Sequence, residues 1–413
     1  MKLLVISNGH GEDAIAIRIV EQLKLLVPTL QIRALPIVGE GHAYQKSAIP
    51  LAGQVKSMPS GGFVYMSGEQ LVGDLQGGLF QLTIEQFKVV RRWGKTKQPI
   101  LAVGDIVPLL FAYLSRAKYA FVGTAKSEYY LRNDVGQWLE RTSWLEKRFG
   151  LVYLPWERWL LQKAVGVYPR DSMTCEVLQQ SGIEAMDLGN PMMDNLRYSD
   201  RQVPEPHKLA IVLLPGSRTP EALSNWQQIL EAVTQVITHF KTYQLTFYTA
   251  IAPGLEIQPF ITGLLEQGWQ QENELKQISE ANKPSEKLFK KQTAQLWLSQ
   301  NNYATYLAQG DLAIAMAGTA TEQFVGLGKP AITMSGAGAQ CTPAFMEAQS
   351  RLLGCSILPA QNAHEVTQAI EQLLNKPQLW QKIRANGKTR MGTPGAALRI
   401  AKDLQTDLLN QTS

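Results

Sequence analysis

Short runs of consecutive apolar residues recur along the chain, most followed by a small-residue loop and then an amphipathic stretch. Residues 2–6 (KLLVI) form the first run, residues 7–13 its loop, residues 14–26 a helix pattern and residues 31–38 a second run. Runs without alternation, spaced by helix-length segments, predict parallel strands covered on both faces. Further strands are predicted at 99–104, 118–124, 165–169 and 183–188. The pattern then restarts at 209–214 and continues at 244–251, 296–298, 312–316, 331–334 and 356–358. Residues 221–240 read as a helix. Residues 364–409 read as helical, broken at Asn375-Lys376-Pro377 and at Gly392-Thr393-Pro394-Gly395. Residues 254–294, rich in lysine and glutamate, show only helical patches.

The fold class this predicts is α/β, with two doubly wound Rossmann-like domains facing a cleft. At 413 residues the chain exceeds what one core usually serves. The polar stretch RYSDRQVPEPHK, 197–208, carries two prolines and marks the boundary. It sets an N-terminal domain at 1–198 and a second domain at 209–385. Residues 386–413 form a C-terminal helical segment that could cross back to the first.

Composition narrows the classes. Hydrophobic residues make up 45% and charged residues 18%, which describes a globular protein. A net charge of +5 is too small for a nucleic-acid partner but suits a phosphorylated substrate or an anionic membrane surface. Three cysteines, Cys175, Cys341 and Cys355, have no CxxC spacing, so neither a disulfide framework nor a zinc site is expected. The apolar start ends after Ile6, short of a signal peptide, and no apolar run has bilayer length. These features predict a cytoplasmic protein that meets a membrane only at its periphery.

Candidate chemistry lies at the predicted carboxyl ends of strands, where doubly wound sheets bind ligands. In the second half, Pro215-Gly216-Ser217-Arg218 follows one strand, and Ala317-Gly318-Thr319-Ala320-Thr321-Glu322-Gln323 follows another. Turn N–H groups, a hydroxyl and a guanidinium can hold a diphosphate, and a helix N-terminus favours the same charge. Glu322, in the first helical turn, is placed to accept hydrogen bonds from a pair of sugar hydroxyls. In the first half, Gly9 and Gly11 allow close approach to the backbone, with His10 and Glu12 beside them. The loop does not fit GxGxxG. Asp105 ends the strand 99–104 and is either a general base or a helix cap.

Residues 57–93 combine a glycine-rich loop bearing Phe63 with an apolar stretch through Phe80 that ends in Arg91-Arg92-Trp93. That is the composition of a membrane-contact segment, or of a buried helix under a loop. Tyr129, Tyr130, Trp138, Trp144, Trp156 and Trp159 would line an acceptor site or pack a long loop.

LLPGSR at 213–218 with Glu221, GTATEQ at 318–323 and GNPMMDN at 189–195 resemble, in order and spacing, the lipid-A-disaccharide synthase family. Its patterns run close to LPGSRxxE, SGTATLE and GHPLxD. The resemblance implies a B-type glycosyltransferase fold (GT-B), inverting and metal-independent, with no cofactor beyond a UDP-sugar substrate. Ser217 and Arg218 would meet the diphosphate, Gly318 to Thr321 would line the nucleotide site and Glu322 would hold the ribose. The N-terminal domain would take a lipid acceptor at a membrane surface, with Asp105 as first and His10 as second candidate base. Gly9, Gly11, Glu12 and Asn190 would line the acceptor side. Asn190 stands where the family pattern has His, and SNGHGED differs from the family's GExSGD-like loop, so a different lipid acceptor is the preferred form. Rival readings are a UDP-sugar 2-epimerase of the same fold and a non-catalytic nucleotide- or lipid-binding relative.

Overall fold

The computed structural model describes residues 1–9, 11–53, 55, 79–140, 142–198, 203–272, 286–336 and 341–409. The chain divides into two compact units, Met1–Asp194 with Thr393–Ser413, and Asn195–Gly392. Each is an α/β unit built on its own sheet.

The described residues of the first unit form five parallel strands, β1 (Lys2–Ser7), β2 (Gln31–Pro36), β3 (Ile100–Gly104), β4 (Tyr119–Gly123) and β5 (Val167–Tyr168), in spatial order β2-β1-β3-β4-β5. Leu3, Leu4, Val5 and Ile6 are wholly buried. Burying each such side chain is worth about 1.5–3 kcal/mol, so a polar residue has no place in this run. Helix Leu79–Gly94 packs on helix Ile106–Ser115, with Leu82 and Val90 in the core. Its Gln86 is buried and donates to the carbonyls of Pro36 and Ile37 at 3.3 and 2.9 Å, closing the end of β2. Residues 183–188 do not form a strand. A single bridge joins Ala185 to Val167, because β5 is only two residues long.

The tail from Thr393 belongs to the first unit. Helix Ala396–Leu404 buries Ala397, Ile400, Ala401 and Leu404 and packs on helix Gly11–Leu26. Its amino terminus is capped by buried Asp194, whose carboxylate accepts from the N–H groups of Gly395, Ala396 and Ala397 at 2.6, 3.1 and 2.7 Å. Three orphan donors are thus satisfied by one side chain from the GNPMMD stretch. Asp194→Ala strands those donors and should cost about 2–3 kcal/mol, read as a lower urea midpoint at unchanged slope.

The described residues of the second unit form eight strands: β6 (Lys208–Leu214), β7 (Gln244–Ala250), β8 (Gln270–Gln271), β9 (Lys287–Lys291), β10 (Ala294–Ser299), β11 (Leu312–Ala315), β12 (Ala331–Met334) and β13 (Ile357–Ala360). Their order is β13-β12-β11-β6-β7-β10-β9-β8, parallel except for the antiparallel edge formed by β8 and β9. That edge was hidden in the stretch read as helical patches. Lys287–Lys291, KLFKK, shows only one fully buried apolar residue, Phe289.

Candidate functional site

Both sheets change winding direction at a definable place. In the second unit β6 lies between β11 and β7, so the loops leaving β6 and β11 diverge to opposite faces and open a crevice at their carboxyl ends. The loops found there are Pro215–Arg218 and Met316–Gly318, the two that carry the candidate chemistry. In the first unit the equivalent place lies between β1 and β3, with Gly9 and Gly11 to Asp13 on one side and Gly104-Asp105 on the other.

The second-unit loops run side by side. Gly216 has φ +111°, and a Cβ there would lie 3.5 Å from the Met316 carbonyl. Three carbonyls of this pair are held from inside the protein. Buried Asn225 donates to Pro215 O at 3.1 Å, and the Cys341 thiol donates to Met316 O at 3.3 Å. Ala317 O accepts from Gln349 at 3.2 Å and from Thr321 Oγ1 at 2.5 Å. Burial pushes the Cys341 thiol up to about 11, so it keeps the proton it donates. In a planar trans peptide the N–H points opposite to the C=O. Pulling the Pro215 and Met316 carbonyls inward therefore turns the N–H groups of Gly216 and Ala317 the other way, beside the start of helix Thr319–Gly326. This is an arrangement that attracts a phosphate.

Around it the expected residues sort by helix face. Ser217, Arg218 and Thr319 are exposed, and Ala320 and Glu322 are half-buried. Thr321 is wholly buried and spends its hydroxyl on Ala317 O, so it shapes the loop and does not line it with a side chain. Gln323 is a correction: it is buried and accepts from the Tyr303 hydroxyl at 2.7 Å. Glu221 adds a group: its Oε2 is buried with no hydrogen-bond partner among the described residues. The tethers Asn225, Cys341 and Gln349 were not picked out in the sequence, where nothing marks them as neighbours of the loops.

At the first-unit crevice, Asn8 Oδ1 accepts the Asp105 N–H at 2.9 Å, and Asp105 Oδ1 accepts the Val107 N–H at 2.8 Å, capping helix Ile106–Ser115. Gly104, at φ +136°, admits Asn8, since a Cβ would sit 1.9 Å from Asn8 Oδ1. Glu12 faces Asp105 and receives the Thr124 hydroxyl at 3.4 Å. Burial, with the charges of Asp105 and Asp13 adding to it, raises Glu12 to about 7. Burial likewise raises Asp13 to about 6; it accepts from Ser7 Oγ at 2.6 Å, and Ser7 in turn meets the Tyr44 hydroxyl at 2.7 Å. Gly9, at φ +112°, is tight against Val38 O, where a Cβ would lie at 2.3 Å. Gly11 opens helix Gly11–Leu26. His10 lies outside the described residues.

Two further expectations are corrected. Asn190 is buried and caps Met192 N at 3.0 Å, so it is a structural residue and not part of an acceptor lining. Trp93 packs against the first-unit core and donates to Gln98 O and Pro99 O at 3.2 and 3.3 Å, while Arg91 donates to Leu114 O at 3.1 Å. Neither Trp93 nor Arg91 is aimed outward as a membrane contact; Arg92 is exposed. Phe63 and the side chain of Phe80 lie outside the described residues. Among the described residues no helix is long and apolar enough to cross a membrane.

A cavity of about 680 Å³ opens at the opposite, amino-terminal edge of the second sheet. Several of its charged walls are already engaged: Lys329 with the carbonyls of Leu307, Ala308 and Gly310, Asp311 with Ala210 N, and Lys208 with Glu205. It is a seam under the sheet, away from the crevice.

No protein-family model and no curated protein matches the sequence. Solved structures do match over the whole chain. MurG of Acinetobacter baumannii is 14% identical with a TM-score of 0.56, covering 98% of this chain and 99% of that one. The S. aureus MnaA–UDP structure is 11% identical at TM-score 0.55, covering 99% and 97%. UDP-GlcNAc 2-epimerase of Neisseria meningitidis, bound to UDP-GlcNAc, is 12% identical at TM-score 0.51, covering 100% of both. The chain has the GT-B fold of two Rossmann-like domains. The structural neighbours include both glycosyltransferases and UDP-GlcNAc 2-epimerases, so the fold does not separate the two activities.

Proposed function

We propose that this protein is a glycosyltransferase that moves a sugar from a UDP-sugar to a lipid acceptor at a membrane surface, with inversion and without a metal. The observation that carries the reading is the pair of tethered loops at the second-unit switch point, whose N–H groups, Ser217 and Arg218 suit a diphosphate. Glu322 would accept from the two ribose hydroxyls and Glu221 Oε2 from a further donor. Arg218, the turn N–H groups and the helix start would stabilise the charge that develops on departing UDP.

In the first unit Glu12 is the proton acceptor this reading favours. Asp105, the expected base, is committed to capping a helix, and its charge helps hold Glu12 poised near neutrality. In the reaction the acceptor hydroxyl gives its proton to Glu12 as its oxygen bonds to the anomeric carbon, and the C–O bond to UDP breaks with the electron pair leaving on the diphosphate.

A second reading, UDP-sugar 2-epimerase, is favoured by the nearness of two acids, Glu12 and Asp105, because proton removal and return at one carbon needs more than one such group. Donor binding is common to both. UDP is expected to raise the unfolding temperature of the purified protein by several degrees at saturating concentration, and Arg218→Ala to remove most of that gain. An unchanged unfolding temperature with UDP and with every UDP-sugar offered would end both readings. Deuterium from D2O at C2 of recovered UDP-sugar, with no lipid product, would select the epimerase.

A further inference from the structure

Tryptophan carries too much apolar surface to be left open without cause. The chain has nine tryptophans, and the three that are strongly exposed fall within sixteen residues: Trp144 at 67%, Trp156 at 49% and Trp159 at 47%. Exposed Leu154 lies between them. They sit on two short helices of the first unit, Trp144–Phe149 and Pro155–Leu161. Trp156 and Trp159 are three apart and share a helix face, while Glu157, Leu160 and Leu161 of the same helix are buried. The Trp159 ring leans edge-on against Tyr113 at 4.9 Å, which fixes its direction without covering it.

The charges of this stretch are one-sided. Lys147, Arg148 and Lys163 are exposed and Arg158 half-buried. Of the two acids in 144–163, Glu157 is buried and paired with Lys126 at 2.5 Å, leaving Glu146 as the other. The Arg148 guanidinium lies 5.3 Å over the Trp144 ring, joining cation and aromatic in one unit. Exposed indoles on a stretch with an excess of exposed cations match the boundary between acyl chains and anionic headgroups, where the ring goes below the phosphates and the cation among them.

We propose that residues 144–163 form a docking face that inserts Trp144, Trp156 and Trp159 into the headgroup layer of an anionic bilayer, with Lys147, Arg148 and Lys163 on the lipid phosphates. The face is distinct from the segment ending at Trp93. It rests on the lipid-acceptor reading for its purpose, yet docking is measured without donor or acceptor.

The test is flotation of the full chain with vesicles of phosphatidylcholine mixed with phosphatidylglycerol, against phosphatidylcholine alone. The wild type should float with the anionic vesicles, its tryptophan emission shifting to the blue. Trp144→Ser/Trp156→Ser/Trp159→Ser should lose about tenfold or more in partitioning. The double variant Trp144→Ser/Trp156→Ser, which spares the Trp159–Tyr113 contact, should lose much of the same. Lys147→Gln/Arg148→Gln/Lys163→Gln should lose roughly fivefold per charge at low salt and flatten the salt dependence. Leu25→Ser, at an equally open apolar site on another helix, should float as wild type does. Tryptophan variants that float like the wild type would overturn the proposal. So would a wild type that ignores anionic vesicles, or one that sediments as a dimer which the tryptophan variant abolishes, since the face would then join copies of the chain. Flotation as expected with no sugar transfer from any UDP-sugar would sink the transferase reading and leave the docking face standing.

Discussion

Glu12→Gln is expected to lower the rate of sugar transfer by roughly 10²- to 10⁴-fold while leaving affinity for UDP unchanged. The first part follows from removing the group that takes the acceptor proton. The second follows because the loops proposed to hold the diphosphate are built entirely from second-unit residues. The pH profile provides the sharper sign. Glu12 ionises near 7, so its active carboxylate form accumulates as pH rises, and wild-type kcat/KM should climb through that region to a plateau. In Glu12→Gln the residual rate should lose this limb. Asp105→Asn, which leaves Glu12 in place, should keep a limb moved to lower pH, because one of the charges raising Glu12 is gone.

Stability should move the other way. A carboxyl whose folded value is raised holds its proton in the native state at pH values where the unfolded chain has released it. Native stability therefore falls as pH climbs from the ordinary glutamate value toward 7, and the cost is fully present above that. Glu12→Gln removes the cost, so the variant should unfold at higher temperature than the wild type at pH 8, and the gap should close in acid. An equally stable variant with a full pH limb would show that Glu12 is an ordinary surface acid.

Glu322→Ala is expected to raise the Kd for UDP and the KM for the UDP-sugar by roughly 10- to 100-fold with a smaller change in kcat. The carboxylate stands in the first turn of helix Thr319–Gly326, half-buried beside the outward N–H groups, and two charge-assisted hydrogen bonds to ribose would be lost with it. The companion change Gln323→Ala should leave donor affinity near wild type, because that side chain faces Tyr303. Titration calorimetry with UDP reads both. Equal affinities in all three proteins would remove Glu322 from the donor site.

The sequence carried the places of these sites better than their working parts. Short unbroken apolar runs such as residues 3–6 and 209–214 read as buried parallel strands, and the small-residue loops after them mark where strands end. Orientation within a helical turn was harder. Thr321, Glu322 and Gln323 are consecutive letters, yet Thr321 and Gln323 are buried against Ala317 O and Tyr303 while Glu322 stays half-buried. The tethers are separated from their carbonyls by long stretches of chain, as Gln349 is from Ala317, so only folding reveals them. Glu12 read as a cleft residue because proximity to Asp105 and loss of water, not residue type, make it a proton acceptor. Trp93 follows Arg91-Arg92 and Trp144 lies between Arg141 and Lys147-Arg148, but one has backbone carbonyls for its indole N–H and the other remains open.

The most direct measurement is to incubate the protein with labelled UDP-sugars and an extract of membrane lipids, then follow both the label and the nucleotide. Transfer predicts that label enters the lipid fraction, that a lipid gains the mass of one sugar residue, and that UDP appears in equal amount, none of it with Glu12→Gln beyond a trace. Label that stays in the nucleotide fraction, whether unchanged or as an isomer of the sugar supplied, would contradict the account.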